Sequence, residues 1–434
     1  MNTIIRILRC VSFWYHTHEF KQRLMPIRMV ALAFVAGFSM NVHAQNLPTL
    51  IEMANENNLG LKVSQGEYES SVERAVQVST LPNPEFGVGY FPLPVETRLG
   101  PQIVRFSASQ KFPWFGSLDS RSKVESSKAM ALNERTSTAE LQLSYGVKVA
   151  YFKLYELETK RAIINRNIQV LKALERLAIS KLESGMASAS DVLRVQIKIE
   201  ELNQDLALIE TSRINPQVEM NQMLNRQLET EVLVSDSLTL AILAFDKDSL
   251  RANIVANHPL LRMYELEQEV SRNINALSDF DSKPNFGVGL DYILVNERTD
   301  ASPERNGRDI VQIKATISIP LDGRKYSAVR REQELQIDVL NNKRANALLL
   351  FTAGIEKAFA EYDDAKIRHD LFIRQKQLTQ SAINIIEADY SARGQKFDEL
   401  LILETELIQY DLKILNAIVK SHLAKAAIEL YIVN

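Results

Sequence analysis

A long internal repeat constrains the fold of this 434-residue chain more than any single motif. Residues 50–89 and 250–289 align at a constant spacing of 200 with eleven identities, including Pro-x-Phe-Gly-Val-Gly at 84–89 and 284–289. The match resumes at a spacing of 207, so the second copy holds seven extra residues between 290 and 310. This period is too long for a solenoid repeat. We therefore predict two similar halves arranged around a pseudo-axis.

The first 44 residues have the features of a secretory signal peptide. Arg28 precedes a short apolar run, and Val-His-Ala at 42–44 resembles a small-residue cleavage site. Residues 1–24 fit a signal poorly, so Met25 or Met29 is an alternative start, and a buried helix or anchor is the competing interpretation. We expect a signal peptide at 1–44, a first repeat at 45–225, a linker at 226–249 and a second repeat at 250–434.

The expected mature chain is acidic. Removing the five basic residues and one acidic residue of 1–44 leaves 46 basic and 53 acidic residues, a net charge of −7. This charge argues against a nucleic-acid partner. Cys10 is the only cysteine and leaves with the signal, so we expect no disulfide and no thiolate metal site.

Each repeat contains a predicted pair of β-strands. They cover 86–91 and 103–112 in the first copy, joined by a Pro-rich loop, and 286–292 and 310–319 in the second. Apolar residues alternate strictly along 311–319, which indicates a strand with one apolar face. Pro113 and Pro320 end the strands because proline cannot donate to a ladder. About ten residues suffice for a tilted strand to cross a bilayer, and a soluble hairpin packed on its own helices is the alternative.

Two very long helices follow the strand pairs. No proline interrupts the 72 residues from Pro113 to Gly185 or the 74 from Pro320 to Gly394. Apolar residues recur every seven positions from Leu143 to Ala178, which predicts helices packed side by side. Gly185 and Gly394 mark the predicted turns, where each helix reverses into a returning one. Asp191 and Asp398 begin the returning helices, where an acid suits the free N–H groups and the helix dipole.

Enzymatic motifs are absent from the sequence. It has no HExxH, Gly-x-Ser-x-Gly or Walker loop, and Gly87 and Gly89 lack the third glycine of a dinucleotide site. His258, His369 and His422 are widely separated. We therefore predict a protein that is not an enzyme and binds no cofactor and no metal.

The duplicated unit, the Pro-x-Phe-Gly-Val-Gly strand starts, Phe-Pro-Trp-Phe-Gly at 112–116 and the Gly…Asp-x-Leu turns resemble the TolC family of outer-membrane efflux proteins, near its CusC/CzcC-like branch. The resemblance covers nearly all of 45–434. It implies a mainly α fold with transmembrane β: a homotrimer with a 12-stranded barrel in outer-membrane lipid of a Gram-negative bacterium and a 12-helix periplasmic tunnel. It also implies a periplasmic adaptor and an inner-membrane pump, of the RND type or another. Four strands are too few for a barrel, since bacterial barrels begin at eight, and this agrees with three chains supplying twelve.

The same resemblance implies a gate at the hairpin tips. Asp398 corresponds to an acid that rings the periplasmic entrance. Tyr390 corresponds to a tyrosine that latches onto an aspartate of the first hairpin, here Asp191, and Arg393 to a latching arginine. Leu401 stands where a second ring acid is expected.

The sequence thus predicts a passive exit duct for a tripartite efflux system. The alternatives are a periplasmic adaptor-type coiled-coil protein and a type I secretion duct. Adaptors carry one helical hairpin with separate small β-domains, whereas this chain has two hairpins.

Overall fold

The computed structural model describes residues 46–432 apart from 235, 245 and 394. The expected signal peptide and Gly394 lie outside the described residues. The elements, in chain order, are α1 (Leu47–Asn57), α2 (Leu59–Val78), β1 (Glu85–Thr97), β2 (Gly100–Phe112), α3 (Ser117–Glu183), α4 (Ala189–Met223), α5 (Lys247–Asn257), α6 (Pro259–Asp281), β3 (Asn285–Val295), β4 (Ile310–Ser318), α7 (Arg324–Arg393) and α8 (Phe397–Glu429). The order α-α-β-β-α-α therefore occurs twice, in agreement with the internal repeat.

The helix that leads into each strand pair is broken in two, which the sequence analysis did not predict. The break lies at Asn58 in the first copy and at His258 in the second, both in extended conformation. Asn58 accepts a hydrogen bond from the backbone N–H of Leu61 at 3.1 Å. His258 Nδ1 accepts one from Leu260 at 3.2 Å. Each residue thus caps a new helix through a local hydrogen bond.

The four strands form one antiparallel sheet in the order β1-β2-β3-β4. β2 pairs with β3 over Gln102–Phe112, so the two repeats meet at the centre of the sheet. β1 and β4 are its edges. Pro113 directly follows β2, and Pro320 lies two residues beyond β4, as expected for residues that end a ladder.

The Pro-rich segment after Tyr90 is part of β1 and not the predicted loop. The pairing of β1 with β2 shifts register between Tyr90 and Val95, and Pro92 and Pro94 lie within that irregularity. Proline is tolerated there because β1 is an edge strand and its missing N–H interrupts no central ladder.

The long helices confirm the predicted helical hairpins. α3 has 67 residues and α7 has 70, so each extends on the order of 100 Å at 1.5 Å per residue. Ala150, Ile164, Leu171 and Ala178 of the predicted seam are buried. α3 packs against both α4 and α8, and one apolar cluster joins these helices near the turns. Within 46–432, none of the helices combines the length and the apolarity needed to cross a membrane.

The segment between the repeats is a strap that lies across the helices. Its backbone is held by side chains of α3, α7 and α8. Tyr155 Oη accepts from Leu238 N at 3.1 Å, and Ser421 Oγ accepts from Ala241 N at 2.9 Å. Tyr362 donates to the Ala241 carbonyl at 2.7 Å. These bonds satisfy backbone groups that lack ladder partners.

Candidate functional site at the hairpin turns and open faces

The first hairpin turn is closed by local hydrogen bonds around Gly185. Gly185 has φ 72°, and its N–H donates to Leu182 O at 2.9 Å while Met186 N donates to Lys181 O at 2.8 Å. This pair of bonds is a Schellman motif, which satisfies carbonyls at the helix end and favours glycine at the left-handed position. The turn glycine predicted for the first hairpin is therefore explained by backbone geometry.

Asp191 lies in the first turn of α4 and forms a capping box. The backbone N–H of Ser188 donates to the Asp191 carboxylate at 3.2 Å, and the Ser188 hydroxyl accepts from backbone N–H groups of the same turn. This reciprocal arrangement satisfies donors that the helix itself leaves free. The Asp191 carboxylate is thus hydrogen-bonded within its own hairpin.

Asp398 has a different partner from Asp191. α8 begins after Lys396, a left-handed residue that makes no side-chain cap. The Asp398 carboxylate forms an ion pair with Arg194 of α4, which ties the second hairpin to the first. The hydrogen bond and the charge of Asp398 raise the pKa of Arg194. Both side chains are largely exposed, so water screens the pair.

Arg194 was not singled out by the sequence analysis. It lies 204 residues before Asp398 in the chain. The only sequence signal was its position one turn after Asp191 on α4.

Tyr390 is fully buried beside the second turn. Its ring packs against Phe397 with centroids 5.1 Å apart. Its hydroxyl has no hydrogen-bond partner among the described residues. Burial raises the pKa of Tyr390, and the negative charge of Asp191 raises it further. Tyr390 and Asp191 are therefore close enough to interact electrostatically, but no hydrogen bond joins them in this structure.

The remaining predicted gate residues are only partly described. Arg393 is the last residue of α7, but its side chain lies outside the described residues. Leu401 packs against the apolar cluster near the turns. A further acid, Glu404, lies deeper in the same hairpin, and burial together with the nearby charge of Glu387 raises its pKa. Lys181 also links the hairpins by donating to Ser391 O at 2.6 Å.

The alternating apolar residues form one face of the sheet, and this face is exposed in the single chain. Phe86 and Ile313 keep 80% and 83% of their surface accessible. The same exposed face carries Val88, Tyr90, Val288, Leu290, Val311 and Ile317. Most residues of the opposite face are polar or glycine, and it also carries the buried Ile293. An exposed apolar surface of this extent marks an interaction site with lipid or protein.

The crowding of that opposite face accounts for its glycines. A Cβ at Gly87 would lie 2.7 Å from Ser107 Oγ, and one at Gly287 would overlap Thr316 Oγ1. Gly87 and Gly287 therefore allow close packing of the strands.

The helical hairpins leave one apolar face open at each side. Leu371, Leu378 and Ile385 of α7 are exposed, although their repeat equivalents Ile164, Leu171 and Ala178 are fully buried against α8. The opposite relation holds for the returning helices. Leu193 and Leu208 of α4 are exposed, whereas their equivalents Leu400 and Leu415 of α8 are buried. The exposed face of α7 therefore resembles the side of α3 that contacts α8, and the exposed face of α4 resembles the side of α8 that contacts α3. Both faces lack a partner helix in the single chain.

The described part of the chain contains no group of three or more His, Cys, Asp or Glu side chains arranged to hold a metal ion. His258 is a capping and packing residue, and its ring lies at an angle of 39° to that of Phe351 with centroids 4.3 Å apart. Burial lowers the pKa of His258 to about 4, so the ring is neutral at neutral pH.

The chain was compared with known proteins. No protein-family model matches it, and no curated protein does. Solved structures do match. The outer-membrane channel OprN aligns at a TM-score of 0.68 and 18% identity, covering 89% of both chains. CusC, studied for transmembrane channel formation, aligns at 0.71 and 14%, covering 89% of this chain and 91% of its own.

A third structure, the outer membrane protein VceC from Vibrio cholerae, aligns at 0.67 and 14%, covering 88% of this chain and 95% of its own. Each alignment thus covers nearly the full length of both chains. The chain therefore has the fold of these outer-membrane proteins, as the resemblance to the TolC family predicted.

Proposed function

We propose that this chain is the outer-membrane exit duct of a tripartite efflux system. In this function it passes substrates passively from an inner-membrane pump and a periplasmic adaptor to the outside. The observation that carries the proposal is the exposed apolar face of a four-stranded sheet joined to helical hairpins on the order of 100 Å long. Lipid is the environment in which such a face is stable, since its alternating residues match a membrane strand pattern.

The free edges of the sheet support assembly into a closed ring. Unpaired backbone groups on β1 and β4 are costly in lipid, so the edges must pair with further strands. Three chains give twelve strands, and the two repeats of each chain then approximate six-fold symmetry. We propose this homotrimer, with 45–225 and 250–434 as the repeated units and 226–249 as their connection.

The open helical faces support the same ring. The face of α7 around Leu378 is equivalent to the face of α3 that contacts α8, and the face of α4 around Leu193 is equivalent to the face of α8 that contacts α3. A contact between α7 of one chain and α4 of the next would repeat the internal α3–α8 contact. Such head-to-tail contacts form rings when the rotation closes.

We propose that the gate lies at the periplasmic turns. Asp398 contributes a ring of three carboxylates. While each is paired with Arg194 it holds the two hairpins together, and when the pairs separate the free carboxylates attract cations. Tyr390 and Arg393 belong to the closing contacts, with Asp191 as the acid near Tyr390. Opening then requires the exposed Asp398–Arg194 pair to separate, which costs little in water.

The test is fractionation followed by electrophysiology of the full-length protein. We expect a trimer in the detergent-extracted outer-membrane fraction, and stepwise conductance when it is added to planar lipid bilayers. A monomer in the soluble periplasmic fraction would contradict the proposal and favour an adaptor-type protein.

A further inference from the structure

Three charged side chains from neighbouring strands meet on the polar face of the sheet. Asp291 of β3 is completely buried between Arg105 of β2 and Lys314 of β4. Lys314 Nζ lies 2.8 Å from the Asp291 carboxylate, and Arg105 forms an ion pair with the same oxygen. Both cations remain about one-third exposed, at 37% and 34% of their side-chain surface.

A glycine of a neighbouring strand lies beside each cation. A Cβ at Gly289 would be 3.5 Å from Lys314 Cε, and one at Gly89 would be 3.9 Å from Arg105 Cβ. The ion pairs with Asp291 hold the charged ends of Arg105 and Lys314 on the polar face.

The cluster carries one net positive charge, because two cations share one carboxylate. It is not a product of the repeat, since the residues equivalent to Arg105 and Lys314 at a spacing of 207 are Gln312 and Ser107. The second pair on this face, Lys111 with Glu85 at 2.6 Å, is balanced. Of these two groups of ion pairs, only the one around Asp291 therefore has a net positive charge.

We propose that Arg105, Asp291 and Lys314 form a positive belt that favours the passage of anionic solutes through the strand region. The inference rests on the proposed function, in which the polar face lines the lumen of the duct. In a trimer the belt contains six cations and three carboxylates. A fixed charge lining a pore attracts ions of opposite sign and repels those of the same sign.

The test measures the ratio of potassium to chloride permeability from reversal potentials in a KCl gradient. Lys314→Gln is expected to raise this ratio about fivefold. The trimer loses three charges roughly 10 Å from a permeating ion, and screening at about 0.1 M salt leaves each worth about one quarter of RT, with opposite sign for potassium and chloride. Lys314→Glu should raise the ratio further, and Lys314→Arg should leave it unchanged. Arg105→Gln should act in the same direction as Lys314→Gln.

The three Lys314 variants separate charge from structure. A ratio that is the same in conducting Lys314→Gln, Lys314→Glu and Arg105→Gln channels as in the wild type would overturn the belt. An equal rise in Lys314→Arg would also overturn it, since that variant keeps the charge. Absence of conductance from the wild-type protein would instead contradict the proposed duct.

Discussion

The open face of α7 can be tested at Leu378. This side chain is 71% exposed in the single chain, whereas its repeat equivalent Leu171 is 0% exposed. If a neighbouring α4 covers Leu378 as α8 covers Leu171, Leu378→Ala removes about 2 kcal/mol per contact. Over three equivalent contacts the loss is about 6 kcal/mol per trimer. The fold of the isolated chain should be unaffected, because the side chain is exposed there.

The assay is the temperature at which the trimer converts to monomer during electrophoresis in detergent. Leu349→Ala is a matched control, since Leu349 lies on the same helix at 67% exposure but its equivalent, Gln142, is also exposed. We expect a clear fall in trimer melting temperature for Leu378→Ala and little change for Leu349→Ala. Equal melting of the two variants would refute the argument from repeat equivalence.

Three further outcomes are expected. Asp398→Ala should raise single-channel conductance and weaken block by multivalent cations, whereas alanine at the adjacent Glu399 should do neither; bilayer recordings showing no difference between the two would contradict the gate. Burial lowers the pKa of His258 to about 4, so below pH 6.5 the unfolded chain binds more protons than the folded chain. The free energy of unfolding should therefore fall by up to about 3 kcal/mol as the pH drops from about 6.5 to 4. Thermal melts of His258→Asn, which copies the cap at Asn58, should lose this pH dependence. Tyr390→Phe should change stability by less than about 0.5 kcal/mol, since the hydroxyl has no partner, while Tyr390→Ala should cost about 3–5 kcal/mol in denaturant unfolding.

The repeated order of elements was predictable because it depends on local signals that occur twice. The Pro and Gly residues at strand and helix ends, such as Pro113 and Gly185, fix boundaries through their own backbone chemistry. The breaks at Asn58 and His258 were missed because each depends on one capping hydrogen bond, which only the structure shows.

The contacts between elements were less accessible to sequence reasoning. The ion pair of Arg194 with Asp398 depends on the axial register of two hairpins, which no local pattern records. Heptad spacing identified Leu171 as a packing residue, and Leu378 matches it by repeat. Spacing alone does not tell whether the partner of such a residue belongs to the same chain.

The strap between the repeats has a consequence for the kinetics of assembly. The strap joins the two halves covalently, so the α3–α8 contact is intramolecular, and its bonds at Leu238 and Ala241 hold it against both halves. Such a contact forms at an effective concentration set by the connection and not by the amount of protein. The equivalent contact between chains has no such tether. In a three-chain ring, the contacts within a chain would therefore form in first-order steps and the alternating contacts between chains in second-order steps. Only the contacts between chains would respond to dilution or to the level of expression.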